Sequence, residues 1–156
     1  MITSTTYKNR YANVDLTPFK TWLSRHSITV LRVSLGVVFL GFGILKFFPG
    51  VSPAEDLAIR TIDALTLGIV SGGRALWLTA AVECFIGMTL VSGRWLRAGL
   101  ATLGLALIGI LSPLVLFFGD LFPGAPTLEA QYVLKDVVLA ASGLVIGASA
   151  LGARLR

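Results

Sequence analysis

Five ionisable residues lie inside or at the edge of long apolar runs, and they are where this chain could do chemistry: Arg32, Lys46, Glu83, Lys135 and Asp136. Glu83 sits at the middle of ALWLTAAVECFIGMTLV, Ala75 to Val91. A carboxylate in such a run costs about 3 kcal/mol to insert into a bilayer, so it must be protonated, paired or turned toward water. Arg32 and Lys46 belong to ITVLRVSLGVVFLGFGILKFF, Ile28 to Phe48. Fourteen residues separate them, which at about 100° per residue leaves them within about 40° on one helical face. Counting at 1.5 Å per residue from the ends of the runs puts Arg32 about 6 Å from Glu83 in depth and Lys46 about 9 Å from it. That count predicts a direct Arg32–Glu83 pair, with Lys46 meeting Asp136 across the other end of the helices. Two readings of the set stand. It is a polar site that binds an anionic or quinone-like group or passes protons, or it is a charge network that fixes which helices touch.

Other chemistries find no residues to perform them. Cys84 is the single cysteine, so no intrachain disulfide and no CxxC exist, and a thiol oxidase working through its own cysteine pair is excluded. Cys84 itself reads as a small packing residue. There is no HExxH, no paired cysteine and no cluster of histidines, so neither a metal nor a haem site is predicted. His26 reads as an interface residue. No covalent cofactor is expected, and the group such a site would hold is a quinone or a lipid.

These side chains need elements to carry them, and composition says which. Of the 156 residues 55% are hydrophobic and 13% are charged, against about 25% charged in an average soluble domain. Mean hydropathy is +0.84. The reading is an all-α membrane protein: a four-transmembrane-helix bundle with spans at about 28–48, 75–91, 98–118 and 132–151, the last with an alternative start near Leu128, each near the length that crosses a hydrocarbon core. Residues 15–153 form one domain behind a disordered tail, 1–14. Thr17 and Pro18 start an N-terminal interfacial helix with Phe19, Trp22 and Leu23 on one face. Ser52-Pro53-Ala54-Glu55 is a capping box, which opens an amphipathic outer-surface helix over 53–67. Ser112-Pro113 predicts a kink, with the serine hydroxyl serving a freed carbonyl.

Small residues mark the packing faces. Arg32, Gly36, Phe39, Gly43 and Lys46 form one stripe of the first span. Gly87 lies in the second, and Gly143 and Gly147 share a face of the fourth with Asp136. Each is a place for close helix approach.

The net charge of +5 would suggest nucleic acid in a soluble chain, but here the cations flank apolar runs, and no nucleic-acid partner is expected. Residues 1–27 lack the apolar core of a signal peptide. Lys8, Arg10, Lys20, Arg25, Arg94, Arg97, Arg154 and Arg156 fall on one side of the spans, Arg60 and Arg74 on the other. The positive-inside rule then puts both termini in the cytoplasm.

Three stretches carry a resemblance to a known family. They are LRVSLGVVFLGFGILKFFP (Leu31 to Pro49), VECFIGMTLVSGRWLRAGL (Val82 to Leu100) and YVLKDVVLAASGLVIGA (Tyr132 to Ala148), with LSPLVLFF (Leu111 to Phe118) in support. In this order they resemble the DoxX-like family of small four-span bacterial membrane proteins, and within it the YkgB branch. That branch places an aromatic and an acid after the first proline, where this chain has Gly50 and Val51. The resemblance implies a bacterial inner-membrane protein. Members include the small membrane subunit of a thiosulfate:quinone oxidoreductase, and others are linked to oxidative or chlorine stress, some beside redox partner proteins. It implies a membrane subunit or accessory of a quinone-linked redox system, with a partner protein or a second copy alongside. Arg32, Lys46, Glu83, Lys135 and Asp136 are the positions such a role would fall on. A scaffold subunit and a small transporter component are the alternatives.

Overall fold

The computed structural model describes residues 16–153, and every regular element in that range is helical. In chain order these are α1 (Thr17–Leu45), α2 (Glu55–Leu65), α3 (Gly72–Ser92), α4 (Leu96–Leu111), α5 (Pro113–Leu116), α6 (Phe118–Leu121) and α7 (Leu128–Ala150). Four helices are long and apolar enough to cross a membrane: α1, α3, α4 with α5 as one run Leu96–Leu116, and α7. The chain is therefore of the multi-pass membrane type. The expected tail at 1–14, with Lys8 and Arg10, and the cations Arg154 and Arg156 lie outside the described residues.

The expected interfacial helix and first span are one continuous helix. Between Pro18 and Gly36 the sequence holds neither proline nor glycine, so nothing interrupts the backbone ladder. At 1.5 Å per residue its 29 residues reach about 44 Å, the full thickness of a bilayer with its headgroups. It stops at Leu45, three residues short of the expected end. The Phe47 and Phe48 N–H groups bond Ile44 and Leu45 in a tight turn, because a residue before proline avoids helical geometry.

α2 is shorter than expected, and Ser52 does not cap it. The helix begins at Glu55 behind Ala54. Gly50, at φ +78°, turns its N–H toward the helix start, where it donates to Glu55 Oε2 at 2.7 Å. α3 runs three residues further back than expected and ends on Gly93 in the left-handed conformation, φ +70°, the usual helix stop. Pro113 has no N–H for Gly109 O, and Ser112 Oγ donates to that oxygen instead at 2.7 Å. α7 starts at Leu128, earlier than Tyr132, because Thr127 Oγ1 accepts the Ala130 N–H at 3.1 Å and caps it there.

α3 is the central post. α1 lies along its whole length, with α2 and α4 on its other sides, and α7 leans on α1 and α4. Two apolar clusters result. Leu35, Phe39, Ile86, Leu90, Leu103 and Ile146 fill the space among the long helices. Leu57, Leu121, Ala130 and Val133 close the end beneath α2.

The α1–α3 seam is set by glycine. A Cβ on Gly87 would fall 2.7 Å from Leu40 N and 2.8 Å from Gly36 O, and one on Gly43 would fall 3.0 Å from Cys84 N. Gly36 sits as closely against Val91 N, at 2.9 Å. On α7, Gly143 faces Leu103 closely, while a Cβ on Gly147 would meet nothing within 4 Å. Gly147 is thus on the expected face, but no helix approaches it there.

Candidate polar site and cavity

The glycine contacts fix the register of the antiparallel α1 and α3: Gly36 beside Leu90, Leu40 beside Gly87, Gly43 beside Glu83. From that register the ion pairs follow. Lys46 lies three residues beyond Gly43, about 4.5 Å along the axis, whereas Arg32 lies eleven residues before it, about 16 Å away. Lys46 Nζ bonds Glu83 Oε2 at 2.8 Å, and the two residues are 7% and 6% exposed. The expected Arg32–Glu83 pair is not formed. The Arg32 guanidinium donates to the Leu90 carbonyl instead. The depth count failed because it began both helices at the bilayer boundary, and α1 begins far outside the packed region. Lys46 does not pair with Asp136 either, since Glu83 holds its ammonium.

Asp136 nonetheless joins this pair in space. A cavity of about 590 Å³ lies among α2, α3, α4 and α7, and Lys46, Glu83, Tyr132 and Asp136 form its polar wall. The same four residues border a smaller space of about 90 Å³ on the other side, toward Phe39 and Phe42 of α1. Among the described residues nothing forms a hydrogen bond or ion pair with the Asp136 carboxylate. Lys135 stays outside, exposed, with its ammonium 3.9 Å from the centroid of the Tyr132 ring. Tyr132 thus stands between the cavity and that outer cation. Its place was within reach of sequence reasoning, because it precedes Asp136 by four residues and so shares its helical face.

The rest of the lining is apolar but for Thr61, Thr79 and Thr102, whose hydroxyls donate to carbonyls of their own helices. α2 roofs the cavity with Leu57 and Thr61, and the Thr61 hydroxyl is spent on Leu57 O at 2.6 Å. At the opposite side the lining includes Leu105 and Ile108 of α4, which are 72% and 68% exposed. The cavity therefore opens sideways, on the apolar flank of the helices, and ends inward on the ion pair. Its size is that of a small-molecule site, about 300–1,000 Å³. Its wall offers both kinds of hydrogen bond. The Lys46 ammonium has three N–H groups and gives one to Glu83, while the Asp136 carboxylate can only accept when ionised. An elongated apolar molecule with a carbonyl or hydroxyl head would lie along the apolar walls and present that head to the wall.

Of the sequence candidates, Lys46, Glu83 and Asp136 converge, Lys135 lies just outside, and Arg32 is near the middle of α1, level with the end of α3. Among the described residues no group of three His, Cys, Asp or Glu side chains is placed to share a metal ion. Compared with family models, curated proteins and solved structures, the chain matches none.

Proposed function

We propose that this is a bacterial inner-membrane protein similar to the DoxX-like proteins, a transmembrane bundle that binds a quinone or a lipid-like amphiphile among its helices. It serves as an accessory or membrane subunit of a quinone-linked redox or oxidative-stress system. The observation that carries the reading is the sideways-opening cavity of about 590 Å³ ending on Lys46, Glu83, Tyr132 and Asp136. A quinone carbonyl accepts from an ammonium or a phenol, and a quinol hydroxyl donates to a carboxylate, so one wall serves both redox forms. The chain brings no redox group of its own to this wall, and electrons come from a partner protein. The amphipathic α2 lies over the outer end of the bundle. The cations Lys20, Arg25, Arg94 and Arg97 gather at the other end and support cytoplasmic termini.

A second reading rests on the seam. Lys46–Glu83 and the close glycines bind α1 to α3, as a scaffold subunit of a larger complex would require. Titration of the purified protein in nanodiscs with a menaquinone analogue separates the two. Saturable binding is expected, weakened about tenfold, about 1.4 kcal/mol, by Glu83→Gln. Gly109→Leu should weaken it as much, because a Cβ there has only Leu65 at 3.8 Å and a larger side chain would enter the cavity. No binding, or binding unchanged in both variants, removes the quinone reading and leaves the scaffold.

A further inference from the structure

Arg32 is a half-buried cation whose only hydrogen bond among the described residues goes to a backbone carbonyl, that of Leu90. Its guanidinium fills the space that Gly93 leaves open, where a Cβ would fall 2.8 Å from Nη1. Among the described residues no carboxylate pairs with it. Glu55, Asp56, Asp63, Glu83, Asp120, Glu129 and Asp136 all lie toward the Lys46 end, and Asp15 is outside the described residues. The surroundings add positive charge. Arg25 precedes Arg32 by seven residues, two turns and about 10 Å along the same face of α1. Arg94 and Arg97 follow Gly93 across the turn.

The exposed first part of α1 and the α3–α4 turn flank this guanidinium. Level with the end of α3, α1 has only begun to pack. Thr17 to Ser27 is exposed throughout. Phe19 and Trp22 on that length are 58% and 50% exposed, and Trp95 on the α3–α4 turn is 79% exposed. Tryptophan at the end of an apolar helix marks headgroup level. A guanidinium matches the geometry of a phosphate, and apolar side chains beside it give acyl chains a surface.

We propose that the niche bounded by Arg25 and Arg32 on α1 and by Gly93 and Arg94 on the α3–α4 turn seats the phosphate of an anionic phospholipid. This goes beyond the cavity reading and shares with it only insertion in a membrane. The bilayer supplies the counter-anion that the chain withholds from Arg32. A phospholipid is favoured over free phosphate because the niche lies against exposed aromatic side chains rather than in a polar cup.

Native mass spectrometry of the detergent-solubilised protein, titrated with phosphatidylglycerol and with phosphatidylcholine, tests this. Phosphatidylglycerol should bind the more tightly. Arg32→Gln and Arg25→Gln should each weaken it about fivefold, the loss expected for one basic side chain near an anionic surface. Arg60→Gln, at the other end, should leave it unchanged, and excess inorganic phosphate should not displace the lipid. Equal binding of the two lipids, or parent-like binding in Arg25→Gln and Arg32→Gln, overturns the proposal. Displacement by inorganic phosphate overturns it too, because the niche would then hold a free anion. Arg25 is exposed, so its variant decides the matter even where Arg32→Gln fails to fold.

Discussion

α3 has two sides, and they are built differently. Against α1 it meets glycine and places one buried ion pair, with backbone close to backbone at Gly36, Gly43 and Gly87. Toward α4 it meets glycine once, where Gly99 packs against Thr89, and beyond that point larger side chains of α2, α4 and α7 do not close, so a cavity of about 590 Å³ remains. The difference is one of residue size at the contact. Small residues let helices approach where no water-driven force pulls them together. On the open side, Leu78 and Val82 of α3, Leu105 of α4 and Val133 of α7 hold the helices apart and line what is left. Glu83 belongs to both sides: it ties α3 to Lys46 and faces the cavity.

Three sets of substitutions break or sharpen this contrast. The largest effect is expected at the ion pair. Lys46→Met leaves Glu83 buried without its partner and should cost about 3–5 kcal/mol, read as a lowered unfolding midpoint in detergent. The double variant Lys46→Met with Glu83→Leu should recover much of that loss, because an apolar pair of similar volume replaces a pair that was costly to desolvate. Failure of the double variant to recover would mean the pair does more than satisfy itself.

Next comes a pair of identical changes with opposite signs. Gly87→Ala drives a methyl into the backbone of α1 and should destabilise by about 1–3 kcal/mol. Gly147→Ala meets open space and should be neutral or stabilise by up to about 1 kcal/mol through helix propensity. Parallel melting curves decide it, and equal effects would erase the distinction between seam and open face.

The smallest effect is expected at Arg60. Its ion pair with Asp120 measures 2.6 Å, but the side chains are 50% and 61% exposed. Arg60 also lies over the Phe117 ring at 4.5 Å. Arg60→Ala should cost no more than about 1 kcal/mol, and that cost should shrink in high salt. A larger loss would make the contact of α2 with α6 as important as the seam.

Much of the helical plan was legible in the sequence, because length and apolarity of a run are local properties. Ser112-Pro113, with its carbonyl to serve, was legible for the same reason. Boundaries that depend on a turn were less so: Ser52 looked like a cap until the Gly50 turn delivered another donor to Glu55. The pairing of charges was the least legible. Which cation meets Glu83 depends on how α1 slides against α3, and that is settled by two surfaces at once. Gly36 and Gly147 look alike as letters, yet one is pressed against Val91 and the other against nothing. Asp136 was legible as a candidate, whereas Tyr132, four residues before it on the same helical face, was not singled out.

The sideways mouth at Leu105 and Ile108 has a consequence for how occupancy is counted. A guest arriving through it comes from the surrounding leaflet and never crosses the aqueous phase as a free solute. Its effective concentration is then its mole fraction among the lipids, so diluting the sample with buffer leaves the site as full as before, whereas adding more bilayer empties it.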